Sequence, residues 1–160
     1  LFERELGDND IGALLVWGDP AIYDSTLRII ERMRAKGTAL AFEVIPGISS
    51  VQVLAAKHRI ALNRIGESVL LTTGRKLAEG FPEDAGSVIV LLDGVQAFAS
   101  LAEQNLEIFW GAYLGTQHEI LRAGKLAAVK DEIATVRQQA RAQHGWIMDI
   151  YLLRRSDSNQ

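Results

Sequence analysis

Apolar residues are spread unevenly along this chain, and the unevenness divides it into predictable pieces. Ile11 to Trp17 is an uninterrupted apolar run that ends in Gly18-Asp19-Pro20. A run without polar alternation, bounded by turn residues, predicts a strand buried on both faces, as in a parallel sheet. The spacing of Thr26, Ile29, Ile30 and Met33 predicts a helix over about Tyr23 to Ala35, capped by Asp24 or Ser25 and ended by Gly37. Ala39 to Ile45 predicts a second strand, closed by Pro46-Gly47. Val51, Leu54, Ala55 and His58 then fall at i, i+3, i+4 and i+7 and predict a helix capped by Ser49 or Ser50. Strand and helix alternating in this order imply right-handed βαβ crossovers and an α/β class.

After Leu62 the texture changes. Ser68 to Thr72 and Ser87 to Leu92 predict strands, separated by an exposed polar loop with a short helix over Gly74 to Gly86. Val95, Phe98, Ala99 and Ala102 predict the face of a further helix, and Leu106 to Leu114 a strand broken by Gly111. Val129, Ile133, Val136 and Ala140 stripe a long helix that starts near Leu126, and Trp146 to Leu153 is a last strand. The expected organisation is two-lobed: a truncated N-terminal parallel α/β lobe over residues 1–64, a C-terminal mixed-sheet α/β lobe over 65–153, and a disordered polar tail over 154–160. The chain opens on Leu1, and its first six residues read as the tail of a helix whose earlier part is absent.

Composition narrows the function classes. The 160 residues are 48% hydrophobic and carry a net charge of −3, which speaks against a wholly basic nucleic-acid binder. With no cysteine there is no disulfide framework, thiolate nucleophile or Cys-ligated metal. The longest apolar runs, such as Val88 to Leu92, are far shorter than the ~20 residues of a membrane span. The first residues lack the regions of a signal peptide, so a cytoplasmic location is the expectation.

Candidate chemistry collects where the predicted strands end. Gly18-Asp19-Pro20, Pro46-Gly47-Ile48-Ser49-Ser50, Thr72-Thr73-Gly74-Arg75 and Asp93-Gly94 each follow a strand. In open α/β sheets ligands bind outside the carboxyl ends of strands, so these turns predict a crevice for a polar small molecule; glycine and proline also simply punctuate loops. Neither a Gly-x-x-x-x-Gly-Lys-[Ser/Thr] loop nor Gly-x-Gly-x-x-Gly is present, and His58, His118 and His144 lie far apart, so no metal site is expected. His58 shares an apolar face and reads as a packing histidine. Ser49 reads as a helix cap or ligand donor rather than a nucleophile, because Gly-x-Ser-x-Gly is absent. Asp19 reads as an Asx turn or a helix cap on the sequence alone.

Val16 to Tyr23, Val44 to Ser50 and the strand ending Leu91-Leu92-Asp93-Gly94 resemble, in order and interval, segments of the tetrapyrrole methylases, a family of two-lobed methyltransferases. Asp19 to Thr26, Leu71 to Arg75, Trp110 to Thr116 and Gly145 to Asp149 resemble the branch that methylates C-1 of a corrin precursor and releases acetate. The resemblance implies S-adenosyl-L-methionine as cofactor, a precorrin substrate and a homodimer; the charge balance and short apolar runs speak against a nucleic-acid or membrane partner. It implies that Trp17, Gly18, Asp19 and Ile22 contact the methionine portion of the cofactor, with Ser49 and Ser50 nearby. Asp93, where the family often has methionine, would meet the adenine and ribose together with Ala112 to Thr116. Family members open with a glycine-rich strand and turn that this sequence does not contain.

Methyl transfer from a sulfonium depends on alignment more than on acid–base help, since the leaving group departs neutral. Arg64, Arg75 and Lys76 are the candidates for substrate carboxylates, against the reading of ordinary surface charge. Acetate release needs a base or polarising group; Tyr23, His118, Asp19 and Glu119 are open candidates, as is a substrate carboxylate. Two other readings stay open: a sister methylase acting on another precorrin, diphthine or ribosomal RNA, and a ligand-binding lobe without activity.

Overall fold

The structure, a computed structural model, describes residues 7, 10–102 and 104–156. The chain divides into two units, Leu1–Ser49 and Ser50–Gln160, so the helix after Ser49 belongs with the second unit.

In the first unit the single helix among the described residues is α1 (Thr26–Ala35). Ser25 holds the N-cap position without a side-chain bond, and Asp24 Oδ1 accepts the Thr26 N–H at 2.7 Å. Hydrogen bonds from Thr26 hold the Asp24 carboxyl below the usual carboxylate range. Gly37, at φ +93, ends the helix by donating to Arg34 O, and Thr38 donates to Met33 O. The apolar runs at 11–17 and 39–45 do not form the expected strands, and no ladder pairs them among the described residues. Ile11 and Leu15 stand 97% and 96% exposed. An apolar run encodes a preference for burial, whereas a strand also requires partner backbone, which a pattern of side chains does not specify.

The second unit is built on a five-stranded mixed sheet in the order β1-β2-β5-β3-β4. Its strands are β1 (Val69–Thr73), β2 (Ser87–Leu91), β3 (Leu106–Ala112), β4 (Ile120–Lys125) and β5 (Asp149–Arg155). β1 and β2 are parallel and the other neighbours antiparallel. The helices are α2 (Ser50–His58), the one-turn α3 (Gly74–Leu77), a 3-10 turn over Ala97–Leu101, and α4 (Leu126–His144). Side chains alternate along a strand, so one sheet feeds two cores. Val88, Val90, Ile108, Trp110, Tyr151 and Leu153 face α4 and the 3-10 turn, where Leu126, Ile133 and Phe98 cover them. Ile89, Ile150 and Leu152 face Val51 and Leu54 of α2.

Several expectations change at this level. Gly111 does not break β3; it pairs with both Leu121 and Ile150 inside the ladder. β4 went unpredicted because Ile-Leu-Arg-Ala-Gly-Lys lacks alternation at a sheet edge, where one side of the strand needs no apolar code. The predicted helix face from Val95 to Ala102 shrinks to the 3-10 turn, and Val95 is exposed, because Gln96 at φ 60 redirects the chain. β5 runs through Arg155, two residues into the expected tail. Arg154 is buried: its guanidinium donates to Ser87 Oγ and to the carbonyls of Ala61 and Leu62, tying that connecting segment to the sheet. His58 is a packing histidine, its Nε2 3.0 Å from Trp110 O and its ring edge-on to Phe109. Residues 157–160 of the expected tail and 1–6 of the expected helix tail lie outside the described residues.

Candidate functional site

In the first unit two signature turns separated in sequence meet. Gly18, at φ +91, and Asp19 lead into a β-turn in which Ile22 N–H donates to Asp19 O, with buried Pro20 at its first corner. The Asp19 carboxylate accepts Ala21 N–H on Oδ1 at 2.8 Å and Gly47 N–H on Oδ2 at 2.9 Å. A Cβ on Gly47 would fall 2.1 Å from Gly18 O, so the chains touch backbone to backbone. Asp19 is therefore both the Asx-turn residue and the clasp between the turns, with lone pairs left over for a ligand donor. Around this junction Trp17 and Ile48 are largely exposed, Ile22 half-buried and Ser49 buried. Tyr23 takes a left-handed conformation at φ 52, uncommon for a bulky residue and frequent at ligand sites.

In the second unit the end of β2 carries the corresponding turn. Leu92 sits at φ 55 with its side chain exposed, and the Asp93 that follows is buried. Asp93 Oδ1 accepts Val95 N–H at 3.1 Å; Oδ2 accepts Ala97 N–H at 2.7 Å and Tyr151 O–H at 2.6 Å. A Cβ on Gly74 would come within 2.4 Å of the Asp93 carboxylate, so glycine at the end of β1 makes room for it. Burial, and after it the Asp93 carboxylate, push the Tyr151 phenol far above its ordinary value, which keeps it a donor. The Asp93 side chain is thus committed inside the fold, and what this turn presents outward is the backbone of Leu92–Gly94.

Ala112 ends β3, buried, and Tyr113 turns left-handed at φ 50. Thr116 Oγ1 donates to Tyr113 O and accepts His118 N–H, while Gly115 N–H donates to Glu119 Oε2. The Gly115 bond first, and then Lys57 at 2.9 Å, hold the Glu119 carboxyl below its ordinary value near 4.5. A depressed folded value means that the stabilisation is complete above about 4.5 and lost as pH falls through the folded value. Acidification through that lowered value is therefore expected to release the 115–119 turn first, read as faster exchange of the Gly115 amide while the sheet amides stay protected. The histidines expected to lie apart do not all do so: the His118 and His144 rings stack with centroids 4.1 Å apart, and Tyr113 meets His144 edge-on. Among the described residues no group of three or more His, Cys, Asp or Glu is placed to hold a metal.

The candidate cations are dispersed. Arg64 lies 3.8 Å from Glu67, Lys76 pairs with Glu79, and Arg75 is exposed at the start of α3. Lys76 also lines a cavity of about 450 Å³ with Leu70, Leu77, Phe81, Glu79 and Glu83. Sequence reasoning missed Arg137, Asp149 and Tyr151, which hold the Asp93 turn from inside. A signal was available: Arg137 follows Ile133 by four residues and precedes Ala140 by three, a guanidinium on an apolar stripe. Among the described residues no helix is long and apolar enough to cross a membrane.

Comparison with known proteins finds relatives in sequence and in fold. The chain is 56% identical over 156 residues to precorrin-6A synthase (deacetylating) of a Sinorhizobium species, covering 97% of this chain and 60% of that protein. It therefore spans less than two thirds of that relative's length. The crystal structure of a cobalamin-synthesis-related protein (CobF) from Corynebacterium diphtheriae superposes with a TM-score of 0.84 at 49% identity, over 89% of this chain and 60% of that one. Uroporphyrin-III C-methyltransferase from Thermus thermophilus, crystallised with S-adenosylhomocysteine, superposes at 0.56 and 16% identity, over 85% of this chain and 62% of that one, a likeness of fold. The family model described as Tetrapyrrole (Corrin/Porphyrin) Methylases matches residues 2–130. By that match, and with an α/β fold shared with these structures, the chain belongs to the tetrapyrrole methylase family.

Proposed function

We propose that this chain is part of an S-adenosyl-L-methionine-dependent C-methyltransferase that methylates precorrin-5 at C-1, with release of acetate, to give precorrin-6A. The observation that carries the reading is the junction of the Gly18-Asp19 and Gly47 turns, clasped by the Asp19 carboxylate. The name of the Sinorhizobium relative supplies the product and the deacetylation, and the resemblance of the turns supplies the precursor methylated at C-1. The residues fit the cofactor: a carboxylate with spare lone pairs for the ammonium, and exposed apolar Trp17 for the methionine arm. When bound, the cofactor supplies an electrophilic methyl on a sulfonium.

Trp17, Gly18, Asp19, Ile22, Ser49 and Ser50 serve its methionine end. The backbone at Asp93, with Ala112 and Thr116, serves the nucleoside. Their common contribution is fixed alignment, which can supply up to roughly 7–11 kcal/mol of a barrier. Arg64 and Arg75 are assigned to substrate carboxylates, and Lys76 with them once its pairing with Glu79 opens. Tyr23 and His118 are the candidates for the base in acetate release. The enzyme is read as a cytoplasmic homodimer. β3 and β5 each have a neighbour on both edges, so no second subunit adds to the sheet beside them. In this sheet the free edges belong to β1 and β4.

The test is calorimetry of the full gene product with S-adenosylhomocysteine, followed by transfer of labelled methyl to precorrin-5 with assay of acetate. Binding, a labelled product and equimolar acetate are expected. Absence of binding overturns the methylase reading; methylation without acetate overturns the branch assignment alone.

A further inference from the structure

A buried ion pair crosses the second unit where an apolar contact would cost less desolvation. Arg137 of α4 donates from Nε to Asp149 Oδ2 at 2.8 Å, and from Nη2 to Asp149 Oδ1 at 3.3 Å. Both side chains are more than nine-tenths buried. Trp110 Nε1 completes the carboxylate's shell at 3.0 Å. The pair does not serve packing alone. Arg137 Nη2 also donates to the Asp93 carbonyl at 3.0 Å, and Tyr151 O–H holds the Asp93 carboxylate from β5. Asp93 is thereby gripped at its carbonyl from a helix and at its carboxylate from a strand.

On one side of this gripped residue stands Leu92, left-handed at φ 55 and two-thirds exposed. On the other stands Gly94, where a Cβ would meet nothing within 4 Å. A strained backbone persists only where its surroundings over-determine it. Here the determinants sit behind the turn, and its outer side is open.

We propose that Arg137 and Tyr151 are positioning residues: through Asp93 they hold the Leu92–Gly94 backbone in the shape that receives the nucleoside of the cofactor. This rests on the cofactor reading above, and it gives the Asp93 side chain a role inside the fold in place of direct contact with adenine or ribose, which meet the backbone of the turn. Tyr151→Phe removes one oxygen and keeps the ring against Phe98, whose centroid lies 5.1 Å away.

The experiment compares Tyr151→Phe with the unaltered full gene product. Three quantities are read: S-adenosylhomocysteine affinity, steady-state kinetics, and exchange of the Val95 and Ala97 amides that Asp93 accepts. The variant is expected to exchange these amides faster and to bind the ligand about tenfold more weakly, the effect of one hydrogen bond to a charged group. KM for S-adenosylmethionine should rise by a similar factor, with kcat and KM for the tetrapyrrole little changed, a split that general destabilisation would not produce. Should Tyr151→Phe not fold, Arg137→Lys, which keeps a cation against Asp149 but loses the fork, is read in the same way. Unchanged amide exchange, or faster exchange with unchanged affinity, overturns the proposal while leaving the cofactor reading intact. Failure of the unaltered protein to bind removes the cofactor reading and this proposal with it.

Discussion

Gly47→Ala is expected to abolish measurable binding of S-adenosylhomocysteine and to loosen the first unit. The new methyl would lie 2.1 Å from Gly18 O and 3.0 Å from Gly18 C, and both are backbone atoms that no rotamer change can move aside. The two turns must separate, and the Gly47 N–H then withdraws from Asp19 Oδ2. Overpacking of this kind costs about 3 kcal/mol, and here it falls on the junction that carries the cofactor assignment. Gly18→Ala provides the contrast. Its φ of +91 disfavours a side chain, but the methyl would find Ile48 O at 3.7 Å and Ser49 Cα at 3.8 Å, ordinary contact. That variant should lose only about 1–2 kcal/mol and keep weakened binding. Calorimetry and thermal melts of the two variants check the order. Equal affinity of Gly47→Ala and the unaltered protein would mean that the junction is not part of the cofactor site.

Arg137→Met is expected to destabilise the second unit by about 3–5 kcal/mol, because it leaves the Asp149 carboxylate buried without its cation. Trp110 Nε1 would remain as a donor, but a neutral indole does not offset a desolvated charge. Pairing the change with Asp149→Asn should recover more than half of the loss. The amide removes the charge and still accepts from Trp110. Urea midpoints of both variants test this. A single-variant cost near that of a surface substitution, about 0.5 kcal/mol, would show that the pair does not hold the sheet to α4.

Much of the second unit is legible in the pattern of its residues. Ser87–Leu91 reads as a strand because five consecutive residues suit burial on two faces, and both faces are in fact covered. The stripe of Val129, Ile133, Val136 and Ala140 marks α4 because a helix returns to the same face every three or four residues. β4 escapes such reading, since an edge strand is specified mostly by the neighbour that it pairs with. The runs at 11–17 and 39–45 mislead in the opposite sense, announcing burial without a ladder.

The candidate site divides in the same way. Glycine, proline, aspartate and serine after apolar runs mark where turns fall, and the likeness to the tetrapyrrole methylases lies in those turns. That Asp19 clasps Gly47 across 28 positions, and that Asp93 turns inward to Tyr151, follows from the packed chain alone. By itself the sequence determined the class of fold, the helices α2 and α4 and most strands of the second unit, and the family, because each is written in local spacing or short motifs. Tertiary structure alone decided which turns touch, which strands are interior, and which carboxylate is free to meet a ligand. Those outcomes depend on partners distant in the chain, whose identity no local pattern of side chains encodes.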